Sequence, residues 1–169
     1  GKLSVLLDKV EELCNAGKKV LVFSQFTKFL GLAKSALKTR ISEADIYMLT
    51  GSTRDRALPV NAFQTAKRGS VMLVSLRAGG TGITLSEADY IFLADPWNPA
   101  VEEQAIDRAH RIGRRGDVFV YRMIARDTVE DRVLRLQSRK RKLFDDLIGG
   151  LRDVSNREKF IQTIAEILE

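Results

Sequence analysis

Arg108 and Arg111 stand three residues apart in Gln104-Ala-Ile-Asp-Arg-Ala-His-Arg111. On a helix that spacing puts both guanidiniums on one face. Two planar guanidiniums converging on one ligand suit phosphoryl transfer, where an arginine neutralises charge in the transition state. The competing assignment is an ion pair with Glu103 or Asp107. A second phosphate-directed feature is Ser75-Leu-Arg-Ala-Gly-Gly-Thr-Gly-Ile-Thr84. Glycines after a strand let a backbone approach a phosphate and point N–H groups at it. The stretch lacks the lysine of G-x-x-x-x-G-K-[ST], so it is no Walker A loop, and a plain tight turn is the alternative. Trp97, within Asp95-Pro-Trp-Asn-Pro99, suits either the core or a face offered to nucleic acid. The single histidine, His110, reads as a hydrogen-bonded structural residue.

The chemistry available is bounded by composition. With one cysteine (Cys14) and one histidine in 169 residues, a disulfide scaffold, a Cys/His zinc site and a Cys-His nucleophilic pair are excluded. No run approaches the length of a membrane span. The net charge is +6, and it is localised. Residues 108–145 hold twelve Lys/Arg against five Asp/Glu, whereas the rest of the chain is close to neutral. A local positive field fits a phosphate-bearing partner with salt-sensitive affinity; a solvated basic helix face is the alternative. The chain starts at Gly1 rather than Met, and is expected to be a piece of a larger protein.

The elements that must position these residues alternate. Apolar spacing predicts helices over 3–13, 25–39, 54–67, 100–110, 128–147 and 155–168. Short apolar runs predict strands over 19–23, 45–49, 70–74, 90–94 and 118–124. Alternation of this kind predicts βαβ units and a mainly parallel sheet covered on both faces. Ligands of such sheets collect at the carboxyl ends of the strands, where every motif above falls.

In order along the chain, these segments resemble the C-terminal RecA-like lobe of the SWI/SNF (Snf-two) family of DNA-dependent ATPases, in helicase superfamily two. Lys19-Val-Leu-Val-Phe-Ser-Gln-Phe-Thr27 resembles motif IV, and Leu49-Thr-Gly-Ser-Thr53 with Arg56 resembles the GST…R segment. Val74 to Leu85 resembles motif V, Trp97-Asn-Pro-Ala-Val-Glu102 the WNP segment, and Gln104 to Gly113 motif VI. Four departures stand out. Arg77 replaces the usual Lys, Thr84 the usual Asn, and Arg114 the Gln that follows Gly113, while Ala94-Asp-Pro precedes Trp97 where many members have Asp and a second Trp.

The resemblance implies a RecA-like α/β three-layer sandwich over residues 1–127, with bracing and tail helices over 128–169. It implies the second motor lobe of an ATP-dependent double-stranded DNA translocase or remodeller. ATP, with Mg2+ held mainly by an N-terminal lobe of the same polypeptide, would be hydrolysed between the two lobes. Arg108 and Arg111 would be the arginine fingers, with Gly80, Gly82 and Gln104 also at the nucleotide. Ser24, Gln25, Gly51, Ser52, Arg77 and Trp97 would grip the DNA backbone. A DNA-bound protein is an implied target and a membrane is not an expected partner. Without Walker A and B residues this chain alone is expected to be inactive. The expected location is cytoplasmic, nucleoid-associated in a bacterium or archaeon and nuclear in a eukaryote; compact motif spacing suggests the former. The alternatives are a non-catalytic nucleic-acid-binding module and a lobe of an RNA helicase.

Overall fold

A computed structural model describes residues 1–67, 69–79, 84–95, 103–107 and 117–124, with Leu136, Ser138, Arg139 and Lys142. The chain divides into two compact units, Gly1–Ala125 and Arg126–Glu169. The sheet and the helices that cover it belong to the first; the four isolated positions of the second are helical.

The first unit runs α1 (Lys2–Asn15), β1 (Lys19–Ser24), α2 (Thr27–Arg40), β2 (Asp45–Leu49), α3 (Ala57–Thr65), β3 (Ser70–Ser75), α4 (Leu76–Gly79), β4 (Tyr90–Leu93) and β5 (Phe119–Arg122). Residues 103–107 are also helical. The five strands form one sheet in the order β2-β3-β1-β4-β5, and every pairing is parallel. This is the expected RecA-like α/β architecture.

Strand side chains alternate between two cores, as the pleat requires. Val20, Val22, Val71, Leu73 and Phe92 pack beneath α1 and α2 with Leu6, Val10, Leu30 and Leu37. Leu21, Phe23, Met72, Val74, Ile91 and Leu93 face the other way, toward Val60 and Phe63 of α3 and Ala105. Both faces of the central strands are therefore apolar, which explains their unbroken hydrophobic runs.

Two helices start later than their apolar spacing suggests, because side-chain hydrogen bonds intervene. In α3 the Asp55 carboxylate accepts from the N–H groups of Ala57 and Leu58 at 3.1 and 3.3 Å. Pro59 then sits in the first turn, where its missing N–H costs nothing. In α2 the backbone at Phe26 is extended, φ −96° and ψ 102°, in a turn whose Gln25 and Phe26 N–H groups donate to Asp95 and Ser24. The glycine-rich stretch begins as a single helical turn, α4, whose Ala78 N–H donates to Ser75 Oγ at 3.2 Å.

Candidate nucleic-acid interface

The carboxyl ends of β1, β2 and β3 carry three loops, and the strand order sets them side by side. Between them lies an open cleft of about 790 Å³. From β1 come Gln25, Phe26, Thr27 and Lys28; from β2 come Met48, Thr50, Gly51 and Ser52; from β3 come Ser75 and Arg77. Four of the residues expected to grip a nucleic-acid backbone, Gln25, Gly51, Ser52 and Arg77, thus line one cleft although up to fifty-two positions separate them.

The cleft's chemistry suits a phosphate backbone. Gln25, Lys28, Ser52 and Arg77 are exposed. Among the described residues, neither Lys28 nor Arg77 has an acidic ion-pair partner. The N-terminus of α2 opens on the cleft through Thr27 and Lys28, and no side chain caps it. Helix N-termini leave backbone N–H groups without intrahelical partners and favour an anion.

The β2 loop is ordered by its own hydroxyls. Thr50 N–H donates to Thr53 Oγ1 at 3.0 Å, Thr53 N–H returns to the Thr50 carbonyl at 3.1 Å, and the Thr50 and Ser52 hydroxyls lie 2.8 Å apart. Gly51 has no left-handed backbone, and a Cβ built on it would meet nothing within 4 Å. The fold does not demand glycine there. A bare backbone in a cleft wall lets a ligand come close.

Ser24 takes a different place. It is fully buried, its hydroxyl donates to Asp95 Oδ1 at 2.5 Å, and its oxygen accepts from Phe26 N–H at 3.0 Å. It is absent from the cleft wall and stands behind it. Asp95, also buried, receives the Gln25 N–H on Oδ2 at 2.8 Å. In the sequence Asp95 reads only as the end of a strand. A signal for more is there in principle, since a carboxylate next to an apolar strand must find donors.

Other expected site residues are dispersed or undescribed. Gln104 is exposed on the helical segment 103–107. Thr84 is exposed, and its carbonyl accepts from the Gln64 amide at 2.7 Å, tying the end of motif V to α3. Gly80, Gly82, Trp97, Arg108, His110 and Arg111 lie outside the described residues, as do helix 155–168 and most of 128–147. Among the described residues, no group of His, Cys, Asp or Glu side chains could hold a metal ion. No helix there is long and apolar enough to cross a membrane. Burial pushes the Cys14 thiol up to about 12, so it stays protonated and unreactive at neutral pH.

Parallel strands, two apolar cores and a cleft over three strand ends define a RecA-like α/β lobe. Residues 1–113 match the helicase conserved C-terminal domain, and the chain belongs to that family. Its relatives are of the SNF2 kind. A DNA repair protein RAD5B of Arabidopsis thaliana is 40% identical over 96% of this chain and 13% of its own length. The C-terminal part of the Fun30 ATPase domain superposes with a TM-score of 0.73 at 33% identity, covering 80% of this chain and 45% of that one. The Sulfolobus solfataricus SWI2/SNF2 ATPase core in complex with double-stranded DNA gives a TM-score of 0.70 at 28% identity, over 89% of this chain and 32% of that one. The chain thus spans a small part of the relatives it matches. Relatives named as DNA repair proteins come from a plant and from fungi, which lends no support to the expected cytoplasmic location.

Proposed function

We propose that this chain is the second motor lobe of a larger ATP-driven protein that acts on double-stranded DNA. The observation that carries this reading is the convergence of Gln25, Gly51, Ser52 and Arg77, from three strand ends, on one cleft. Contacts of this type hold a phosphate backbone without reading its sequence. The similarity to a SWI2/SNF2 core determined with duplex DNA favours DNA as the partner.

In this reading ATP sits between this lobe and an N-terminal lobe of the same polypeptide, which holds most of the Mg2+ ligands. Arg108 and Arg111 reach the γ-phosphate when the lobes close, with Gly80, Gly82 and Gln104 beside the nucleotide. Trp97 extends the DNA grip. Residues 1–127 form the lobe, and 128–169 brace and follow it. Closing and opening alternate the grip on the backbone, and the protein steps along DNA, displacing what is bound there. Its place is the nucleus if its source is a eukaryote, as are the plant and fungal DNA repair relatives.

The test is ATP hydrolysis by the full-length protein with and without duplex DNA, beside an Arg111→Ala form and this chain alone. The expected outcome is strong DNA stimulation, lost by a factor of about 10³ or more in the variant and absent in the isolated chain. Stimulation by single-stranded RNA instead would identify an RNA helicase lobe. Nucleic-acid binding with no hydrolysis would identify a non-catalytic module.

A further inference from the structure

Behind the cleft wall, one buried carboxylate accepts from two consecutive residues of the β1 loop. Asp95 Oδ1 takes the Ser24 hydroxyl proton and Oδ2 takes the Gln25 N–H. Ser24 Oγ in turn accepts from Phe26 N–H. The whole turn Ser24-Gln25-Phe26 is thereby pinned to the end of β4, the strand beside β1. With its backbone N–H committed inward, Gln25 is left exposed, its side chain among the lining residues of the cleft. Phe26 holds an extended conformation, φ −96° and ψ 102°, so that α2 starts only at Thr27.

We infer that Asp95 is a positioning residue for the nucleic-acid cleft: its carboxylate holds the Ser24–Phe26 turn so that Gln25 and the first turn of α2 face the bound backbone. This deepens the DNA-lobe reading and rests on it. A carboxylate suits the task because it accepts at two oxygens with no donor of its own, and the loop offers it only donors. Charge-assisted hydrogen bonds are also the stronger ones, so the loop geometry is set before any ligand arrives. An apolar residue at 95 would leave the buried Ser24 hydroxyl and the part-buried Gln25 N–H without these acceptors.

The experiment is a double-mutant cycle in the full-length protein. Affinity for a short duplex DNA is measured for Gln25→Ala, Asp95→Ala and the pair, with thermal melting to verify folding. If Asp95 acts through the loop, Asp95→Ala weakens DNA about tenfold, and Gln25→Ala adds little to it. Asp95→Asn, which keeps an acceptor for the Gln25 N–H, recovers part of the loss. The KM for ATP stays unchanged while the DNA concentration for half-maximal stimulation rises. Should Asp95→Ala fail to fold, Asp95→Asn and Ser24→Ala carry the same cycle. Wild-type DNA affinity in a folded Asp95 variant, or additive losses in the cycle, would overturn the inference. Arg77→Ala separates the two levels: if it too leaves DNA binding intact, the cleft is not the DNA site and the DNA-lobe reading itself fails.

Discussion

Ser24 and Asp95 lie seventy-one positions apart in the chain and share a hydrogen bond at the ends of neighbouring parallel strands. Through that bond the loop after β1 is fastened to the segment that leads to Trp97. The serine is a support for the cleft and contributes no atom to its wall. Its removal is therefore predicted to act on stability before binding. Ser24→Ala takes away one donor from a buried carboxylate and one acceptor from Phe26 N–H, at a cost of about 1–3 kcal/mol. Chemical denaturation should show a lower midpoint with an unchanged slope.

Arg77→Ala and Lys28→Ala are predicted to do the reverse. Both side chains are exposed in the cleft wall, so thermal stability should stay within about 0.5 kcal/mol of the parent. DNA affinity should fall evenly across sequences, and the slope of log affinity against log salt should shrink by roughly one phosphate contact per substitution. Salt titrations of binding to two unrelated duplexes check both points. Sequence-dependent losses would contradict backbone recognition.

Gly51→Ala separates fold from function at one methyl group. Nothing within 4 Å would touch the added Cβ, and the backbone there needs no glycine. Stability is expected to be equal or slightly raised, by up to about 1 kcal/mol through the unfolded state. DNA affinity is expected to drop, because the methyl group stands on the wall that a backbone must approach. Unchanged affinity would remove Gly51 from the interface.

Gly69→Ala is predicted to damage the fold itself. A Cβ at that position would lie 2.0 Å from the carbonyl oxygen of Cys14, and backbone cannot yield as a flexible side chain does. The cost should reach about 1–3 kcal/mol or more. Phe63→Ala should cost about 3–5 kcal/mol, since the fully buried ring meets Tyr47 edge-on at 6.4 Å and lies 5.8 Å beneath the Lys19 ammonium. Calorimetric melting compares the two directly.

Cys14 gives a prediction in pH. Its folded-state pKa, raised to about 12 by burial, exceeds the ordinary value of 9.0. The native state therefore holds a proton that the unfolded state releases. The stabilisation linked to this thiol is whole below pH 9 and is lost as pH climbs from 9 toward 12. Cys14→Ala should flatten that part of the stability profile. Thiol reagents at neutral pH should label the protein only once denatured.

The element types were written locally. Apolar spacing marked β1, β2, β3 and the helices between them, because burial on one or both faces imposes a period that neighbouring residues carry themselves. Gln25, Gly51, Ser52 and Arg77 became candidates through the resemblance of their segments to motif IV, the GST…R segment and motif V, and all four follow strands. Local spacing overran the starts of α2 and α3. Those ends are set by the side chains of Ser24, Asp95 and Asp55, which offer the backbone partners other than a helical turn. The order β2-β3-β1-β4-β5 was decided only in three dimensions, since it depends on which crossovers bury both sheet faces at once. That order gathers three distant loops into one cleft and sets Asp95 beneath Ser24 and Gln25. No period along the chain encodes such a meeting. It exists because parallel strands from distant segments end at the same edge of one sheet.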